Sequence, residues 1–243
     1  MRISESNLRN LIAQMINEIA PSDFSSDKKA IFIIGGPGSG KTTIINFIVG
    51  GLGFKMINQD TPFEQDIRKR NLVQHSAEYE ESRKHFAKLT KRFSQKMAKT
   101  GRGLVFDYTG RAVSSILQHK NLLEENGYEC KMIYTHVSDI NIAQKRVSQR
   151  KRKLDPEIVS NIYNELLNSP LGIDNKICKY LQIFKENFYI YENNTDIEDP
   201  EIDNRLGRSM YADKKLLALE KLIRNWQPNP EWEDLVNKIC QRE

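Results

Sequence analysis

Residues 30–43 read AIFIIGGPGSGKTT, an apolar run that breaks into a glycine-rich turn, and the apolar-periodic segment INFIV follows at 44–48. Strand, turn and helix in that order carry G-x-x-x-x-G-K-[ST], the spacing of a phosphate-binding loop. The chemistry explains the residue types. Gly35, Gly36, Gly38 and Gly40 open backbone conformations closed to residues with a Cβ, so successive N–H groups can converge on an anion at the positive end of a helix. Lys41 then reaches the β- and γ-phosphates, and the Thr42 hydroxyl is a ligand for Mg²⁺. With Pro37, Ser39 and Thr43, these residues form a nucleotide-binding stretch running from Gly35 to Thr43. The motif predicts binding of a nucleoside triphosphate, ATP with Mg²⁺ being the expected pair. The alternative reading is a plain glycine turn with a solvated lysine, which fits the motif's flanks less well.

With 243 residues, the chain is long enough for one α/β core with appendages. Its net charge of +5 suits an anionic ligand, permitting nucleic acid without demanding it. Cys130, Cys178 and Cys240 are far apart and lack metal-ligand spacing. They read as free thiols. No apolar stretch approaches the roughly 20 residues needed to cross a bilayer, and no secretory leader is recognisable at the N-terminus. A cytoplasmic protein of a bacterial or phage-infected host cell is expected, without a membrane partner.

Residues 1–20 form an expected amphipathic helix, with Ile3, Leu8, Leu11, Ile12, Met15, Ile16 and Ile19 on one face, and 21–29 a polar linker. That helix either docks on a protein partner or folds back over its own domain. The core should span 30–195 and a helical extension 196–243. After the loop, strands and helices alternate as a parallel sheet of about five strands requires. Strands are expected at 54–58, 104–107, 128–137 and 188–192. A long, mostly helical stretch at 63–99 carries Leu72, Tyr79, Phe86 and Phe93 at heptad spacing, with Leu89 and Met97, and this stripe reads as core. Further helices are expected at 111–126 and 139–153, and two more in the tail on either side of WQPNPEW.

A bound triphosphate can be hydrolysed by a motor, used as a switch, or used to phosphorylate an acceptor. A motor would want an acid beside Asp107, where Tyr108 stands instead. A GTPase gains D-x-x-G at Asp107–Gly110 but lacks the lysine of N-K-x-D in NNTD at 193–196. The kinase reading uses more of the chain. Asp60 lies just past the second strand, at the carboxyl edge where open α/β sheets bind ligands, and can accept the acceptor hydroxyl's proton. It can also cap the helix that Pro62 begins. Arg146 and Arg150 share a helix face, and Arg152 lies close behind. Such arginines can neutralise the charge of phosphoryl transfer.

These segments resemble the zeta toxin kinases, a family of P-loop kinases that phosphorylate a UDP-linked amino sugar. The resemblance runs from GGPGSGKTT through MINQDTPF, LVFDYTGR and GYECKMIYTHV to FYIYENN, over residues 30–195. It implies that Asp60 is the catalytic base and that Asp107, Thr109 and Arg111 face the substrate, a small-molecule hydroxyl acceptor. The chain departs from the family in having Asp107 where Glu is usual, Asn58 in place of an acid, and a shorter stretch after the lid arginine. A polynucleotide or nucleoside kinase, and a nucleotide-dependent switch or docking protein, stay open as alternatives.

Overall fold

The computed structural model describes residues 25–46, 52–58, 60–73, 76–149, 154–167, 176–194 and 214–240. The expected helix at 3–19, Arg150 and Arg152 lie outside the described residues. Five parallel strands build one sheet: β1 (Lys29–Ile34), β2 (Lys55–Ile57), β3 (Leu104–Tyr108), β4 (Glu129–His136) and β5 (Phe188–Glu192). Their spatial order is β2-β3-β1-β4-β5, and every pairing is parallel. Between and after them run α1 (Lys41–Ile44), α2 (Asp60–Arg70), α3 (Ala77–Ala98), α4 (Val113–Glu125), α5 (Ile140–Ser148), α6 (Pro156–Leu167), α7 (Lys176–Phe184), α8 (Lys214–Arg224) and α9 (Trp232–Cys240). This is the P-loop α/β architecture expected from the sequence.

A central parallel strand is covered on both faces, so it must be apolar throughout rather than alternating. Residues Ala30 to Ile34 of β1 meet that demand and are fully buried. Ala30, Phe32 and Ile34 face a layer that includes Leu104, Phe106, Met132, Tyr134 and Phe184. Ile31 and Ile33 face the opposite layer, with Ile44, Val105, Ile133, Tyr189 and Ile223. Phe32 stacks on Phe106 at 4.9 Å and meets Phe184 edge-on at 5.5 Å. It joins the sheet's centre to α7.

The chain leaves β1 for β2 on one side of the sheet and later reaches β4 and β5 on the other. Strand order therefore reverses at the carboxyl end of β1, which opens a crevice there. The glycine loop occupies that position.

The mostly helical stretch expected at 63–99 is two helices: Asn71 takes a left-handed backbone (φ 51°), and Ser76 restarts the helix by accepting from the Tyr79 amide at 3.1 Å. Two expectations need correction. The heptad stripe is only partly core. Tyr79 is buried, but Leu89 and Phe93 are 41% and 40% exposed, because the 22-residue helix packs on its helical neighbours α2 and α4 and these leave part of the stripe uncovered. Nor are all three cysteines free, since Cys178 of α7 is bonded to Cys240 of α9. Their sequence separation of 62 hid a pairing that only the packing of α9 on α7 creates. Cys130 is the free, buried thiol, and burial pushes its pKa up to about 12.

The helices α6 and α7 had not been expected. The tail helices had, and a buried lysine ties the turn after α8 to the sheet. Lys131 of β4 donates to Asn187 Oδ1, the Tyr189 hydroxyl and Gln227 O, each at 2.8 Å, and lies 5.1 Å from the Trp226 ring centre. Burial lowers its pKa to about 8, and the three acceptors with the indole face make that burial tolerable.

Removing the central ring tests this account of the core. Phe32→Ala should cost about 3–5 kcal/mol in urea unfolding, as a large ring leaves a site that cannot collapse. A loss under about 1 kcal/mol would mean that the sheet does not depend on the Phe32 stack.

Candidate active site

Strand register decides which side chains share the carboxyl edge. Ile33 pairs with Asp107 and Ile34 with Tyr108 across β1 and β3, while Ile34 pairs with Tyr134 across β1 and β4. Thr135 and His136 pair with Tyr191 and Glu192 of β5, and Ile57 of β2 pairs with Phe106. The edge therefore collects Gly35, Asn58, Asp107 to Thr109, His136 and Asn193. Asn58 Nδ2 donates to Asp107 Oδ2 at 3.2 Å. Those two departures from the zeta toxin pattern thus contact each other.

The loop bends as its glycines permit. Gly38 and Gly40 have φ of 79° and 89°, the left-handed region that a side chain disfavours. A Cβ on Gly38 would also strike the Ala143 carbonyl of α5, and one on Gly40 the Asn193 amide. Lys41 Nζ donates to Gly35 O at 2.8 Å and Gly36 O at 3.3 Å, so the ammonium lies over the loop. Thr42 is exposed. A close backbone cradle, an ammonium folded over it and a solvent-facing hydroxyl form a set that fits a Mg²⁺-bound polyphosphate.

Other elements hold the loop from outside. The Tyr163 hydroxyl of α6 donates to Pro37 O at 3.2 Å, Arg146 Nη1 of α5 to Gly38 O at 3.1 Å, and Asn193 Nδ2 to Ser39 O at 2.9 Å. Arg146 also donates to Asn193 O at 3.2 Å and Oδ1 at 3.4 Å. Arg146 was expected on the transferred phosphate. Here its guanidinium contacts the loop backbone and Asn193.

Helix α2 starts at Asp60, directly beyond β2, so its backbone stands where a base is expected. The orientation of its side chain lies outside the described residues. Beyond β3, the Thr109–Arg111 turn is anchored by a hydrogen bond from the buried Tyr180 hydroxyl to Gly110 O at 2.7 Å. The His119 and His136 rings bond the Tyr108 and Tyr134 hydroxyls at 2.8 and 3.0 Å, and burial lowers both histidine pKa values.

Sequence reasoning missed Tyr163, Glu165 and the role of Asn193. The one available signal was position, as Asn193 follows FYIYE at the end of the last strand. Tyr163 and Glu165 belong to a helix whose place in the fold no motif announces.

Residues 31–164 match the family model described as AAA domain. The pentafunctional AROM polypeptide of Lachancea thermotolerans is 32% identical over 97 residues, covering 40% of this chain and 6% of that protein. The chain thus spans only a small part of that curated relative. Among solved structures, AvrRxo1-ORF1:-ORF2 with ATP covers 97% of this chain and 88% of its own, at 13% identity and a TM-score of 0.53. A candidate kinase from Chloroflexus aurantiacus covers 81% of this chain and 97% of its own, at 12% identity and a TM-score of 0.50. The P-loop kinase fold expected from the sequence is met.

Arg111 was expected to face an acceptor, and it meets a carboxylate of its own chain. Its Nε and Nη2 donate to Glu165 Oε2 and Oε1, each at 2.6 Å, and Lys176 lies 3.6 Å from Oε2. The Arg111 hydrogen bonds hold the Glu165 carboxyl below the usual carboxylate range, against partial desolvation that pushes it up, and the Arg111 and Lys176 charges add to the lowering. A depressed carboxyl pKa stabilises the fold above its unfolded value, and that contribution fades as pH falls through the folded one. The pair is exposed (48% and 39%), so its contribution stays below about 1 kcal/mol. The melting-temperature gap between wild type and Glu165→Gln should accordingly be widest near neutrality and close below about pH 4. A gap that stayed constant with pH would rule out the charge as its cause.

Proposed function

The chain belongs to the AAA domain family and has a P-loop kinase fold, and from that premise we propose that it transfers the γ-phosphate of ATP to a hydroxyl group of a small molecule. The observation that carries this reading is the glycine loop at the sheet's switch point, with Lys41 folded over it and the polar edge Asn58, Asp107 and Thr109 beside it. A hydrolytic motor would want a further acid beside Asp107, where Tyr108 stands instead. A kinase needs the loop and an acceptor edge beside it.

In this reading Lys41 turns from its own loop carbonyls to the β- and γ-phosphates, exchanging two neutral acceptors for charged ones. Asp60, at the start of α2, accepts the proton of the acceptor hydroxyl as its oxygen bonds the γ-phosphorus and the bond to ADP breaks. Thr42 would hold Mg²⁺, which when bound neutralises charge on the β- and γ-oxygens. Thr109 and Arg111 line the acceptor side. Arg150 and Arg152 are the candidates for the transferred phosphate. A UDP-amino sugar is the acceptor that the zeta toxin resemblance suggests. Cytoplasmic location belongs to the same proposal, and no helix among the described residues is long and apolar enough to cross a membrane. The Cys178–Cys240 bond is the observation that pulls against that location. A protein partner is proposed as well, since the similar AvrRxo1-ORF1 chain is in complex with ORF2.

One observation favours a second acceptor class, a polynucleotide end. Between Glu81 and Asp107 there is no acid, and Arg83, Lys84, Lys88, Lys91, Arg92, Lys96, Lys99 and Arg102 are all exposed along and just beyond α3. Such a face can attract a polyanion.

An acceptor screen with γ-labelled ATP, covering UDP-sugars, nucleosides and 5′-hydroxyl oligonucleotides, separates these classes. Lys41→Ala should abolish transfer in a folded protein. Asp60→Asn should keep ATP affinity and lower turnover by about 10² to 10⁴. Unchanged turnover in Asp60→Asn would remove the base from the scheme.

A further inference from the structure

The signature residues of a phosphate-binding loop say which groups face the nucleotide, but not what keeps a glycine-rich segment in shape before one arrives. Three consecutive carbonyls of this loop are each taken by a side chain from a different segment. Pro37 O accepts from Tyr163 of α6, Gly38 O from Arg146 of α5, and Ser39 O from Asn193 beyond β5. Tyr163 and Asn193 are buried. In a planar trans peptide the carbonyl and the next residue's N–H point opposite ways. Holding Pro37 O and Ser39 O from outside therefore turns the Gly38 and Gly40 N–H groups toward the other side, where a phosphate would sit. The Ser39 N–H is engaged within the loop, donating to Gly36 O at 3.3 Å.

The holders are themselves held. Arg146 donates to both the backbone and side-chain oxygens of Asn193, which leaves that amide's nitrogen facing Ser39 O. The Asn193 N–H donates to His136 O at 2.7 Å, fixing the residue to the end of β4. The same groups fill the space beside the glycines: the Tyr163 ring occupies the place of a Gly36 side chain, and the Asn193 amide that of Gly40. The loop is thus enclosed on its outer side.

We propose that Tyr163, Arg146 and Asn193 are positioning residues that clamp the loop carbonyls and preshape the site for the α- and β-phosphates, with Arg146 acting on the loop and not on the transferred group. This rests on the nucleotide-binding reading above. Without the clamp, a ligand must order the glycine backbone itself and loses affinity by that amount. Loss of one neutral hydrogen bond corresponds to about a three- to tenfold change.

The test is titration calorimetry of Mg·AMP-PNP and Mg·ADP at 15 °C, well below unfolding, with melting temperatures alongside. Tyr163→Phe removes only the hydroxyl and keeps the ring; Asn193→Ala and Arg146→Lys remove the other holders. Each should raise the Kd of both nucleotides about three- to tenfold and by the same factor, since the clamp shapes the loop for either. The double variant Asn193→Ala with Arg146→Lys should lose less than the product of the single losses, because the two side chains share a bond. Loss for AMP-PNP alone in Arg146→Lys would place that arginine on the γ-phosphate and overturn the proposal. So would lowered melting temperatures with unchanged Kd values, which would make the three residues purely structural. Wild type that binds neither nucleotide would instead overturn the nucleotide-binding reading, whereas wild type that binds and Lys41→Ala that does not keeps that reading intact whatever the clamp variants show.

Discussion

A parallel strand buried on both faces must leave its sheet abruptly, and at that point its backbone groups lose their partners. In this protein the strand is β1, enclosed between β3 and β4, and the point is Gly35. Everything at the candidate site follows from how the next few peptides are satisfied. Their carbonyls find donors in Lys41 and in three other segments, so amides are left to face the crevice. Buried polar backbone without partners would cost several kcal/mol per group. Here satisfying the backbone and shaping an anion site are the same event.

The two sides of the site are built differently. The loop side is enclosed, with its holders drawn from α5, α6 and the end of β5, so it is well determined before any ligand arrives. The rim from Thr109 to Arg111 is less enclosed: Gly110 is buried and held by the Tyr180 hydrogen bond, Thr109 is half-buried, and Arg111 is exposed and rests on a solvent-facing ion pair with Glu165. Screened surface pairs hold a side chain loosely. Under the proposed kinase function, a rigid donor side and an adjustable acceptor side suit an enzyme that meets one phosphate donor and selects its acceptor by local contacts.

The sequence announced the parts of this arrangement that depend on local backbone chemistry. A glycine-rich turn between an apolar strand and a helix admits few structures, so the loop and the strands at 29–34 and 188–192 were legible from residue types. Asp107 was legible as a strand-end acid, and its neighbour Asn58 as a departure from the expected acid. The contacts that brace the loop were not legible. Asn193 lies 154 residues from Ser39, and Tyr163 lies 126 from Pro37, so each role is created by topology and leaves no local pattern. The Cys178–Cys240 bond and the half-exposed stripe of α3 escaped for the same reason. Periodicity shows that a helix face is apolar, but which elements pack against that face decides what covers it.

The central claim is that the loop between β1 and α1 is a preformed seat for a triphosphate. Amide chemical shifts of ¹⁵N-labelled protein during titration with Mg·ATP test it most directly. The account predicts large, saturable shifts at Gly36, Gly38, Gly40, Lys41 and Thr42, with the β1 amides from Ile31 to Ile33 nearly unmoved. Saturation without movement in the loop, or shifts spread through β1 as though the strand end had to rebuild, would contradict it.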